Sequence, residues 1–377
     1  MEPITHFLTG ACIGRAGLNR KTAYATLAAV LAAEAADLDV FWGFAGPVEG
    51  LKHHRGITHT FIATPVVAGA AVGATWLYHR WHEHRRARRL RFLPPPEPGA
   101  PSRPEPQPVH WWWLYLAAFF SALSHILLDW TNNYGVRPFF PFNPRWYAGS
   151  FVFIAEPAFW VLLLSALIIP GILGLAEREI SSRRTATPFR GRGWAILALL
   201  GMFLIGCLRY AERAEAEALV RNNPITTDPV DRIAAQPYPW NPFRWHIIVE
   251  TSGYYQFAEV NTRTGDIDSD PQTDQMPKPK DTPAVESAKQ TLLGKVYLDW
   301  GRWAVVQDIG QVQVVGIDPP KLPPGRTWTT VEFTDLRFGY DFRGTGNTRP
   351  PGGLTGAVYI VDGREEAGQE MGGREQK

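Results

Sequence analysis

The chain alternates between long apolar runs and compact polar clusters. Four runs read as membrane helices: 60–78, 111–130 ("WWWLYLAAFFSALSHILLDW"), 151–175 and 194–208. A helix needs about 20 apolar residues to cross a bilayer, with a lower range near 17, so the last run must draw on its flanks. Two weaker runs come first, 3–17 and the Ala-rich 22–41 ("TAYATLAAVLAAEAADLDVF"), which carries Glu34, Asp37 and Asp39. With both counted, the pattern predicts an α-helical membrane bundle of about six helices over 1–208. The alternative for 22–41 is a buried or interfacial helix.

Residues 209–236 read as an exposed helix, "RYAERAEAEALVRN", and a linker. Strand patterns follow at 244–250, 253–260, 302–307, 311–317 and 355–361, and "TSG" makes a hairpin turn between the first two. The region 237–362 is therefore expected to be a small β-rich extramembrane domain, and 363–377, "GREEAGQEMGGREQK", a disordered tail.

Charge sets the orientation. The link 79–110 joins "HRWHEHRRARRLRF" to a Pro-rich run, "PPPEPGAPSRPEPQP", and reads as a basic, extended linker. The links 176–193 and 15–21 are also basic. Short loops rich in Lys and Arg stay in the cytoplasm. The N-terminus and everything beyond about residue 210 then lie outside, in an integral cytoplasmic (inner) membrane protein of a bacterium. A net charge of +2 implies no nucleic-acid partner, and 15 Trp suit membrane interfaces. Cys12 and Cys207 both lie in apolar stretches, which excludes a disulfide framework. The start, "MEPITHFLTGACIG", lacks the basic n-region of a cleaved signal and is expected to remain.

This topology collects ionisable residues at one level, the outer ends of the helices. They are His6, Asp37, Asp39, His53, His54, His59, His125, Asp129 and Glu156. Ionisable groups beside membrane helices are costly and mark function. His125 and Asp129 are spaced i, i+4 and share a helix face, as do Glu34 and Asp37 at i, i+3. Asp37 and Asp39 diverge on a regular helix and suit an end that unwinds. Gly56 permits a tight turn that points His54 and His59 inward. Imidazoles mixed with carboxylates suit Zn²⁺ first, with Mn²⁺ or Fe²⁺ as alternatives. The eight candidate ligands are His6, Asp37, Asp39, His54, His59, His125, Asp129 and Glu156, enough for one to three divalent ions. Arg55 is a candidate phosphate clamp, and Glu34 or Asp39 a general base. His53 reads as exposed, and His79, His82, His84 and His110 as basic surface.

Residues 1–175 resemble the YdjM-type family of predicted membrane-bound, metal-dependent hydrolases. The resemblance is carried by "THFLTGACIG", "AADLDV" at 35–40, "HHRGITHT" at 53–60 and "SHILLDWTNNYGVRPFFPF" at 124–142. "FIAEP" at 153–157 has Glu156 where the family has Asp, and "ADLD" replaces the family's "PDLD". The family is in turn similar to the helical zinc phospholipase C and P1 nuclease group. That resemblance implies His6, Asp37, His54, His59, His125 and Asp129 as ligands, then Asp39 and Glu156. The function expected is a hydrolase that attacks a lipid-linked or amphipathic (phospho)ester with metal-activated water. The alternative is a non-catalytic membrane scaffold with a structural metal. A transporter fits less well, because the charged groups gather at one surface.

Overall fold

The computed structural model describes residues 1–92, 106–180, 191–340 and 354–371. Its helices are α1 (Pro3–Arg15), α2 (Ala25–Glu34), α3 (Pro47–His53), α4 (Thr64–Arg91), α5 (Trp111–Thr131), α6 (Pro157–Ile180), α7 (Arg192–Asn222), α8 (Pro283–Gln290) and α9 (Leu292–Trp300). After α7 the described residues form the strands β1 (Val230–Pro237), β2 (Arg244–Thr251), β3 (Tyr254–Asn261), β4 (Asp266–Asp268), β5 (Gln275–Pro277), β6 (Ala304–Asp308), β7 (Trp328–Asp335), β8 (Thr355–Val361) and β9 (Glu365–Met371). The chain divides into two compact units. One comprises Met1–Leu38, Arg55–Ala148 and Ile154–Cys207; the other comprises Asp39–His54, Gly149–Phe153 and Leu208–Lys377.

The first unit is helical, with α2 at its centre packed on α1, α4 and α5. Alanines make this possible. Ala28 and Ala32 of α2 meet Ala68 and Ala71 of α4 and Leu114, Ala118 and Ala122 of α5 in one buried cluster. Small side chains let helix backbones approach closely where lipid offers no hydrophobic drive. At α1, Glu2 caps the helix by accepting from Thr5 N at 2.9 Å, and Pro3 occupies the first turn.

Among the described residues, Trp111–Thr131, Pro157–Ala176 and Arg192–Asn222 are long and apolar enough to cross a membrane. Taking Pro47–His59 with Thr64–Arg91 as one bent span makes four. The expected six is reduced because α1 has 13 residues and α2 only 10. After Glu34 the chain tightens into a 3₁₀ segment, Ala35–Ala45. The runs at 194–208 and 209–222 form one helix of 31 residues.

The second unit holds two antiparallel sheets, ordered β1-β2-β3-β4 with β5 also on β3, and β6-β7-β8-β9. A core of Ile248, Phe257, Met276, Trp303, Val305 and Leu336 draws on both. Helices α8 and α9 start at Thr282 and Thr291, whose hydroxyls accept from Val285 N and Gly294 N. Three expectations are corrected here. Residues 311–317 form no strand beyond the bridge Val314–Ile317; Gly316 interrupts the stretch, Gly310 precedes it and Pro319–Pro320 follow it. The linker at 230–237 is β1, paired along β2. Within the tail expected to be disordered, Glu365–Met371 is β9, paired with β8; 372–377 lie outside the described residues. An edge strand needs backbone partners more than apolar side chains, so its composition conceals it. Most of the Pro-rich linker and the basic link at 181–190 also lie outside the described residues.

Candidate metal centre

Glycines decide where α1 meets α2. A Cβ on Gly10 would lie 2.8 Å from Ala33 Cβ, and one on Gly14 only 2.5 Å from Thr26 Cα. His6 stands one turn before Gly10, so this close approach brings it to the C-terminal end of α2.

Helix α5 is fastened to α2 by two side chains one turn apart. Ser121 Oγ donates to Ala29 O at 2.6 Å, and His125 Nδ1 lies 2.5 Å from Ala33 O. Ala33 is in the last turn of α2, where carbonyls have no partner within the helix. A carbonyl only accepts, so His125 carries its proton on Nδ1. In the neutral imidazole this leaves Nε2 with a lone pair.

That lone pair faces another nitrogen and two carboxylates. His125 Nε2 is 3.0 Å from His59 Nε2. Asp37 Oδ1 lies 3.3 Å from His59 Nε2 and 3.5 Å from His125 Nε2. Asp129 Oδ2 lies 3.5 Å from each of the two nitrogens. The side chains of His59, His125 and Asp129 are fully buried, whereas that of Asp37 is 20% exposed. His6 stacks on His125 with ring centroids 3.7 Å apart, and its Nε2 is 3.3 Å from Asp129 Oδ1.

The donor set fits a divalent ion. Bonds of about 2.0–2.2 Å around a tetrahedral ion separate its ligand atoms by about 3.3–3.6 Å, the spacing seen for the four carboxylate–imidazole pairs. Two groups have all their ligand atoms within 4.8 Å of one another: His6, Asp37 and His125; and His59, His125 and Asp129. Asp129 Oδ2 and His6 Nδ1 are buried and have no hydrogen-bond partner among the described residues. Leaving the buried Asp129 Oδ2 acceptor unpaired is costly, and an ion between it and the two Nε2 atoms would remove that cost. The Met1 α-ammonium contacts Asp129 Oδ1 and lies 3.0 Å from His6 Nε2.

Arg55 is buried in the same unit. Its Nη2 lies 3.0 Å from Asp129 Oδ1, and its Nη1 donates to Gly135 O at 2.8 Å and Asn132 Oδ1 at 3.3 Å. The guanidinium sits over the Tyr134 ring, 4.6 Å from its centroid. The expected phosphate clamp is thus engaged by the protein itself.

The other expected residues have the following partners. Asp39 and His54 pair with each other at 3.1 Å, Nδ1 to Oδ1, and belong to the second unit. Glu156 is buried and accepts from Ala158 N at the start of α6. His53 stacks on Trp42 and pairs with Glu49. Glu34 ends α2, with Oε1 buried and unbonded among the described residues.

Sequence reasoning missed Ser121 and Asn132. Asn132 Oδ1 accepts from Tyr134 N and Gly135 N, closing the loop after α5 around Arg55. The Asn-Asn-x-Gly composition of 132–135 was the available signal.

A family model described as YdjM inner membrane protein matches residues 1–216. The chain belongs to the YdjM inner membrane protein family. No curated protein and no solved structure matches it. The likeness to the zinc phospholipase C and P1 nuclease group is not shown by these comparisons. The YdjM match covers every residue that converges on Asp129 and extends into α7.

Proposed function

We propose that this YdjM-family chain is a membrane-bound, metal-dependent hydrolase of a lipid-linked or amphipathic phosphoester. One observation carries the reading: the Asp37 and Asp129 carboxylate oxygens each lie 3.3–3.5 Å from both the His59 and the His125 Nε2. Asp37, His59, His125 and Asp129 would hold the ion, with His6 beside Asp129. A zinc ion bound there supplies an activated water and charge stabilisation for phosphoester cleavage. The Ala33 carbonyl holds the His125 tautomer, as partners of metal-bound histidines do. Arg55 positions Asp129 and offsets its charge. Glu34 is the remaining general-base candidate, since Asp39 is paired with His54. The basic links at 79–91 and 176–193 support a cytoplasmic side there, with the β-rich unit on the outer face.

The test is metal analysis of the purified protein, with release of phosphate or of a phosphomonoester from phospholipid extracts. Near-stoichiometric zinc is expected, lost in the double variant His59→Ala, Asp129→Ala. Zinc retained in that variant would sink the proposal.

The full burial of His59, His125 and Asp129 favours a second reading, a closed structural site in a scaffold. Cobalt substitution separates the two. An absorption spectrum that responds to inorganic phosphate means an open position, and an unresponsive one means a closed site.

A further inference from the structure

The 3₁₀ segment Ala35–Ala45 exposes bulky apolar side chains outside any candidate span. Val40 is 65% exposed, Phe41 58% and Phe44 88%. Phe41 and Phe44 stack on each other, with centroids 5.8 Å apart. The opposite side of the segment is fastened to α3 at three points. Asp39 pairs with His54 at 3.1 Å, the Trp42 ring stacks on His53 at 4.1 Å, and a Cβ on Gly50 would lie 3.2 Å from Gly43 Cα. Val48 and Leu51 of α3 are themselves buried, so α3 is a fixed support.

A rigid apolar edge of this kind is a liability in water and marks a membrane or partner contact. The family places the chain in an inner membrane, so lipid is at hand to cover it. The segment is too short to span. Eleven 3₁₀ residues rise about 22 Å at about 2.0 Å each, against a hydrocarbon core of about 30 Å. It also carries two acids, Asp37 and Asp39, and is followed by Gly46–Pro47. Interfacial segments bury an apolar face about 5–10 Å deep and favour Trp at the headgroup level, which matches Phe41 and Phe44 beside Trp42.

We infer that Val40, Phe41 and Phe44 form an interfacial anchor that inserts into the acyl region just beneath the lipid headgroups, held on α3 by the Asp39–His54 and Trp42–His53 contacts. This assigns a role to Asp39 and His54 that does not depend on a metal.

The test uses the full-length chain in proteoliposomes, with Cys12→Ala and Cys207→Ser removing the native thiols. Phe44→Cys, and in parallel Val40→Cys, carries an environment-sensitive nitrobenzoxadiazole label. Lipids brominated near the carbonyl end of the acyl chain should remove most of the fluorescence. Deep bromines should quench less, and aqueous iodide little. Strong iodide quenching at both positions would overturn the anchor. So would stronger quenching by deep than by shallow bromines, or disulfide cross-linking of the unlabelled Phe44→Cys variant to a second copy of itself.

Discussion

His125 Nδ1 lies 2.5 Å from the carbonyl oxygen of Ala33, and one turn earlier on α5 Ser121 Oγ lies 2.6 Å from the carbonyl of Ala29. The two bonds fasten α5 to α2 in a fixed register and set the direction of the His125 ring. Their consequences differ. Ser121→Ala removes only a helix–helix bond, worth about 0.6–2 kcal/mol in membranes. It should lower the melting temperature in detergent slightly and leave bound zinc unchanged. His125→Ala should abolish zinc binding, read by elemental analysis of the same preparations.

Arg55 separates a positioning role from a substrate clamp. Arg55→Gln leaves the buried Asp129 without its guanidinium and frees the 132–135 loop. Breaking one side of a buried ion pair costs about 3–5 kcal/mol. A clear loss of thermal stability is expected, with Arg55→Lys intermediate. Unchanged stability with lost phosphoester cleavage would restore the clamp.

Gly14 tests the close approach of α1 and α2. With its Cβ position 2.5 Å from Thr26 Cα, Gly14→Val must push the helices apart. Overpacking of this kind costs about 1–3 kcal/mol. Because His6 rides on α1, weaker zinc affinity should accompany the loss, measured by competition with a chromogenic chelator. Gly73, with nothing near its Cβ position, should tolerate Ala without either effect.

In the β-rich unit, burial pushes the Glu250 carboxyl up. Hydrogen bonds from Lys278 Nζ at 2.8 Å and Arg232 Nε at 2.5 Å outweigh it and hold the group below its ordinary value. A depressed carboxyl stabilises the fold above the unfolded value of about 4.3. That contribution is lost as pH falls through the lower folded value. Hydrogen exchange in β2 of the full-length protein should therefore quicken in that acid range. Glu250→Gln should remove this pH dependence.

The apolar runs of α5, α6 and α7 and the His125–Asp129 face were legible in the sequence, because hydropathy and i, i+4 spacing are local properties. Strands β2, β3, β6 and β8 were legible for the same reason, through their apolar and β-branched residues. Strand β9 was not, because a polar edge strand is defined by the backbone it pairs with.

Only the tertiary structure decided which polar residues meet. Asp37 and Asp39 are two positions apart and both were candidate ligands, yet Asp37 lies against His59 and His125 while Asp39 bonds His54. That choice follows from where α2 stops, how closely Gly10 and Gly14 let α1 approach, and which α2 carbonyls α5 engages. Each is a contact between segments distant in the chain, and such contacts leave no period or composition for a linear reading to find.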